Sequence, residues 1–153
     1  MKWLELRIPP VAVLIISGAA MWLLAKASAS LTVVFPGRHI GTALLAALGL
    51  AVTLAGVVAF RRARTTVNPT TPEATSSIVR TGIYGWTRNP MYLGFLLLLC
   101  AWAMLLANAL ALVLLPAFVL YMTRYQIVPE ERALLDRFGA DYADYVASVR
   151  RWL

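Results

Sequence analysis

Cysteine and histidine are almost missing from this chain: Cys100 and His39 are the only examples among 153 residues. A single cysteine excludes an intramolecular disulfide, and its place inside an apolar run makes it a small buried hydrophobe. A single histidine in a loop, with no ligand cluster around it, excludes a metal site of ordinary composition. Charge is also scarce, at 14% of residues, with only seven acidic side chains. No Gly-x-Gly-x-x-Gly follows a strand-like run and no strand-helix alternation is visible, which excludes a doubly wound nucleotide-binding domain.

What fills the chain instead is apolar. It is 61% hydrophobic with a mean hydropathy of +0.74, a balance that predicts a single all-α integral membrane domain. The net charge of +7 comes from basic residues that flank apolar runs and form no continuous stripe, a pattern of cytoplasmic loops and not of nucleic-acid binding. No carboxylate, lysine, arginine or histidine lies inside the four apolar runs. That argues against a proton-coupled transporter, which keeps an ionisable group within a span; a small transporter or a membrane scaffold is the non-enzyme alternative.

Residues 1–60 hold two spans. Lys2 and Arg7 ahead of an apolar run imitate a signal peptide, but the run from Pro9 to Ala25 has no convincing cleavage site and is as long as a short span. Pro9 and Pro10 suit a first helical turn. After a connector broken by Ser28, Ser30, Pro36 and Gly37, the second span covers Ile40 to Phe60. Its Ala43, Ala47, Ala51, Ala55 and Ala59 share one row, which predicts close approach of a neighbouring helix along that row. Residues 61–89 read as a cytoplasmic loop, whose polar part from Thr65 to Ser77 is either a linker or a lid.

Residues 90–128 form a helical hairpin. Asn89 is a good N-cap and Pro90 a good first residue for its first helix, which pauses at Asn108 before the second runs to about Tyr121. Pro129 is expected to kink or stop that second helix. Residues 129–153 then form an amphipathic interfacial tail, with Leu134, Leu135, Phe138, Tyr142, Tyr145, Val146 and Val149 on its apolar side and Gly139 as a break. Arg61, Arg62, Arg64, Arg80 and Arg88 lie before one open end of the hairpin and Arg124, Arg132, Arg137, Arg150 and Arg151 at and beyond the other, so both termini are expected in the cytoplasm and the uncharged tip outside.

Polar and aromatic chemistry concentrates between Arg80 and Gly94, where Tyr84, Trp86, Arg88 and Tyr92 meet the start of the third run. Antiparallel return of the hairpin brings Glu130 and Glu131 back to the same side. Glu131 precedes Leu134, Leu135 and Phe138 by three, four and seven residues, which puts it on the apolar side of the tail, with Glu130 about 100° away. A carboxylate there is costly unless paired, and the candidate partners are Arg80, Arg88, Arg124 or a cationic ligand. An ion pair that only anchors the tail would meet the same cost, and Tyr84, Trp86 and Tyr92 alone would also fit an aromatic interface belt.

The order Gly82-x-Tyr84-x3-Arg88-Asn89-Pro90-Met91-Tyr92-Leu93-Gly94, then Arg124, Glu130-Glu131-x2-Leu134 and Phe138-Gly139-x2-Tyr142-x2-Tyr145 resembles the isoprenylcysteine carboxyl methyltransferase and phospholipid methyltransferase superfamily. The resemblance covers roughly the C-terminal half and is to its small bacterial-type members. It implies about four transmembrane helices, S-adenosylmethionine as methyl donor, and a cytoplasmic-face site in a bacterial inner membrane. It also implies a lipophilic small-molecule or lipid acceptor. Under it, Tyr84, Arg88, Asn89, Pro90, Tyr92, Glu130 and Glu131 bind the cofactor, while Arg124 and Glu131 are catalytic, Arg124 by orienting an acidic acceptor. O-methylation of a carboxylate is the reading that follows, and N-methylation of a phospholipid-like head group is the alternative. Two departures stand out: Asn89 replaces a histidine found in many relatives, and Gln126 replaces a second arginine near the acidic pair in the prenylcysteine enzymes.

Overall fold

The computed structural model of the chain describes residues 4–63 and 77–153. Of the polar stretch that reads as linker or lid, only Ser77 lies among the described residues. All regular elements described are helices: α1 (Pro10–Ala27), α2 (Arg38–Arg62), α3 (Pro90–Leu106), α4 (Leu114–Met122), α5 (Val128–Phe138) and α6 (Ala140–Ser148). Pro10 and Pro90 both occupy first-turn positions, where a missing N–H costs nothing. Three stretches are long and apolar enough to cross a membrane, Pro10–Ala27, Arg38–Arg62 and Ala111–Phe138, while α3 is a shorter apolar helix. With 17 residues α3 is about 26 Å long, slightly under the thickness of a bilayer core.

α1, α3 and α4 share one core, built on Val13, Met21, Tyr92, Leu99, Phe118 and Met122. In lipid such a cluster is held by close packing more than by withdrawal from water. Outward faces carry Ile15, Trp22, Leu44, Leu48, Leu54 and Leu120, all exposed.

α2 packs most extensively against α3, but not along the expected row. Ala43, Ala47, Ala51 and Ala55 are exposed, and the buried residues of α2 are Gly49 and Gly56. Glycine wins because the two backbones nearly touch: a Cβ on Gly49 would lie 2.8 Å from the Gly94 carbonyl oxygen. An alanine row cannot come that near.

At the far end of the hairpin, Asn108 ties three segments together. Its Oδ1 accepts from the Leu110 and Ala111 N–H groups at 3.0 and 3.3 Å, and its Nδ2 donates to the Ser28 carbonyl at 2.8 Å. The expected pause at Asn108 is therefore a turn capped by its own side chain, locked to the end of α1.

Pro129 does not stop the second hairpin helix. The chain stays helical from α4 into α5 through a π-helical segment, Thr123–Ile127, in which the Val128 N–H reaches the Thr123 carbonyl. A proline at position 129 cannot donate to the Tyr125 carbonyl, and that oxygen instead accepts the Leu6 N–H at 3.0 Å. The break falls at Gly139, whose φ of 52° is glycine's region. The tail is thus two helices, α5 and α6, joined there. Tyr142 and Tyr145 are buried, whereas Leu135 and Val146 are exposed, so the apolar periodicity overstated the buried side.

Candidate active site

Four pieces of chain converge at one end of the hairpin: the segment from Arg80 through Asn89 into the first turn of α3, the first turn of α5, the tyrosines of α6, and the irregular stretch Val149–Trp152 that follows α6. The last of these is fixed by its backbone. Its Arg150 carbonyl accepts the Arg88 N–H at 3.0 Å, and its Arg151 carbonyl accepts from Asn89 Nδ2 at 2.9 Å and Thr87 Oγ1 at 3.3 Å. Trp152 Nε1 donates to Thr123 Oγ1 at 3.1 Å. Asn89 does stand at the N-cap of α3, but its side chain makes no capping bond there. It is spent on Arg151, a contact across 62 positions that no local capping rule anticipates.

Glu131 lies between two guanidinium groups. Arg88 Nη2 approaches Oε1 at 3.1 Å, and Arg151 grips both oxygens, Nε to Oε1 at 3.0 Å and Nη2 to Oε2 at 2.7 Å. The side chains of Arg88, Glu131 and Arg151 are 8%, 16% and 38% exposed. Despite its burial, Arg88 leaves Nε and Nη1 without a hydrogen-bond partner among the described residues. Unmet donors on a buried cation are costly, so this arrangement calls for an anionic acceptor.

Glu130 takes a different neighbour, accepting a hydrogen bond from Tyr92 Oη at 2.5 Å. Among the described residues no ion pair includes Glu130. A site that holds one unmet cation and one carboxylate without a cationic partner is complementary to a zwitterion.

Of the surrounding tyrosines, Tyr145 is a structural donor. Tyr145 Oη donates to the Tyr84 carbonyl at 2.8 Å, and Tyr84 packs edge-on against Phe60 with ring centroids 5.1 Å apart. Burial pushes the Tyr145 phenol up to about 12, and burial likewise holds Tyr84 and Tyr142 above the ordinary phenol range. All three stay protonated at neutral pH and cannot act as bases there.

Of the arginines that the sequence offers to Glu131, the structure brings up only Arg88. Arg80 donates to the Asp141 carbonyl and lies over the Tyr145 ring. Arg124 pairs with Glu5 at 2.8 Å, and Arg132 reaches the other oxygen of Glu5 at 2.5 Å. Gln126 is fully buried and donates to the Ile8 carbonyl at 2.6 Å. It therefore anchors the segment before α1. Trp86 is 82% exposed, which leaves it to the interface and outside the site. The residue that sequence reasoning missed is Arg151. Its only signal was a basic pair placed directly after the apolar positions of the tail.

Comparison with known proteins bears on the same segments. A family model described as phospholipid methyltransferase matches residues 37–141. An uncharacterized protein of Haemophilus influenzae is 44% identical over 63 residues, covering 41% of this chain and 100% of that protein. Protein-S-isoprenylcysteine O-methyltransferase of Saccharomyces cerevisiae is 35% identical over 83 residues, covering 52% of this chain and 34% of the yeast protein. The match thus spans all of the bacterial relative and about a third of the yeast one.

Proposed function

Because the chain belongs to the phospholipid methyltransferase family, we propose that it is a four-span membrane enzyme that transfers a methyl group from S-adenosylmethionine to a small lipophilic acceptor. The carrying observation is the buried Arg88 with two unmet donors, paired with Glu131, whose neighbour in sequence, Glu130, has no cationic partner among the described residues. Bound S-adenosylmethionine supplies a methyl group already activated on a positively charged sulfur, which leaves alignment and exclusion of water to the protein. Arg88 would hold the carboxylate of its amino-acid part, and Glu130, oriented by Tyr92, its ammonium. The first turn of α3 adds the positive end of a helix dipole. Glu131 orients Arg88. Tyr84, Asn89 and Pro90 shape the wall that carries these groups.

For the acceptor, a carboxylate of the isoprenylcysteine type is the reading supported by the yeast relative's name, and a carboxylate needs no general base. The description of the matching family model supports a second reading, N-methylation of a lipid head group. Purified protein given cofactor labelled in its methyl group, together with membrane lipid extract, should yield a labelled lipophilic product that mild alkali releases as methanol. Label resistant to alkali would select the N-methyl reading, and no labelled lipophilic product at all would end the proposal.

Arg124 is the candidate for orienting an acidic acceptor group, and Glu5 occupies it as such a group would. Arg124→Ala should raise the acceptor KM about tenfold or more while adenosylhomocysteine affinity stays within about twofold. Lysine should rescue partly, having charge but no fork. Full activity on the identified acceptor would remove Arg124 from the site.

The basic flanks of the hairpin support cytoplasmic termini and a cytoplasmic-face site in a bacterial inner membrane. Reporter fusions at both ends should be active only for cytoplasmic reporters. An exported C-terminus would contradict the orientation.

A further inference from the structure

Arg151 grips Glu131 with two nitrogens, although nothing about the anchoring of its own segment requires it. The stretch Val149–Trp152 is already held by the Arg88 N–H, Asn89 Nδ2 and Thr87 Oγ1 on its carbonyls and by Trp152 on Thr123. What the Arg151 side chain changes is the neighbourhood of Arg88. Glu131 has two oxygens, and a carboxylate facing one buried guanidinium closes on it as a two-pronged fork. Here the fork belongs to Arg151, at 3.0 and 2.7 Å, and Arg88 keeps a single contact at 3.1 Å. Arg88 Nε and Nη1 remain unmet as a result.

We propose that Arg151 is a positioning residue: by taking the fork of Glu131 it prevents that carboxylate from closing on Arg88, and so keeps two Arg88 nitrogens open to the carboxylate of the ligand. This rests on the cofactor reading above. Without Arg151, Glu131 can swing to capture Nε or Nη1 of Arg88 as its second donor. The ligand's carboxylate would then compete with a carboxylate of the protein for the same cation. Arg151 itself needs no contact with the ligand for this effect.

The test compares two probes on purified protein, adenosylhomocysteine and 5′-methylthioadenosine, the second lacking the amino-acid carboxylate and ammonium. Wild type should prefer adenosylhomocysteine. Arg151→Met should weaken adenosylhomocysteine about tenfold or more, since a charge-assisted hydrogen bond is at stake, and leave 5′-methylthioadenosine within about twofold. Arg151→Lys should recover part of the loss, because an ammonium still occupies one oxygen of Glu131. Should the methionine variant fail to fold, the lysine variant decides by the same ratio between probes. Equal loss for both probes would mean that the segment is merely structural, and unchanged adenosylhomocysteine affinity, or a wild type indifferent between the probes, would also overturn the proposal. A wild type that binds neither probe would instead refute the cofactor reading on which it rests.

Discussion

Glu131→Gln is expected to weaken adenosylhomocysteine binding about a hundredfold and to leave methyl transfer undetectable, in a protein that still folds. The amide has the size of the carboxylate, so no cavity opens. It loses the charge that two guanidinium groups share, at 3.1 Å from Arg88 and at 3.0 and 2.7 Å from Arg151. Its NH2 group must also face one of those arginines donor to donor. Arg88 then has no fixed anchor, and the loss of one partner in such a largely buried charge pair typically costs 2–5 kcal/mol, roughly thirtyfold to several thousandfold in affinity. Stability should fall by about 1–3 kcal/mol, since the hydrogen bonds of Glu131 are charge-assisted. The competing view, in which the pair only pins the tail, predicts the stability loss without the affinity loss. Calorimetric titration beside thermal melting in detergent separates the two: a lower melting temperature with wild-type affinity would return Glu131 to a structural role.

Gly94→Val should prevent assembly of α2 on α3. A Cβ at position 94 would lie 2.0 Å from Thr53 Oγ1, 2.6 Å from the Gly49 carbonyl oxygen and 2.9 Å from the Thr53 nitrogen. Two of these are backbone atoms, and the Thr53 hydroxyl is itself bound to the Gly49 carbonyl at 2.9 Å. No side-chain rotation relieves the clash; the helices must separate. Overpacking of this kind costs about 3 kcal/mol or more, a large share of the stability of a small domain. Because α3 also carries Tyr92 in its first turn, whatever protein survives should bind adenosylhomocysteine poorly. Ala43→Val and Ala47→Val, on the exposed face of α2, are the controls and should change stability by about 0.5 kcal/mol or less. If Gly94→Val melts with the wild type while the alanine variants do not, the packing face has been misassigned.

The two faces of α2 illustrate what was legible in the residues and what was not. The span expected over Ile40 to Phe60 from its apolar length is there as the helix Arg38–Arg62, and a row of small residues rightly signalled a close neighbour. The choice of row did not follow, because alanines at four-residue steps and glycines at Gly49 and Gly56 both satisfy the pattern. Only the partner's own Gly94 selects between them. At Pro129 the local rule predicted a kink or a stop, and the stop is averted by a π-helical turn with a donor borrowed from Leu6. Asn89 was read as a cap from its place before Pro90, yet a segment 62 positions away claims its side chain.

The sequence by itself determined the helical membrane class, because hydropathy and charge are properties of each stretch alone, and it singled out Arg88, Tyr92, Glu130 and Glu131 as candidates for the site, because they stand in a recognisable order. Their need for partners was also legible, since a carboxylate on an apolar face must be neutralised wherever it folds. Which cation answers Glu131 was decided only by the tertiary structure. Arg80, Arg88, Arg124 and Arg151 are equivalent as charges, and the choice depends on where the turn at Gly139 and the extended backbone at Val149 deliver the end of the chain. That path brings Arg151 to Glu131, while the π-helical segment, tied to the N-terminal stretch by the Leu6 N–H on the Tyr125 carbonyl, sets Arg124 beside Glu5, and no rule based on spacing along one helix contains either.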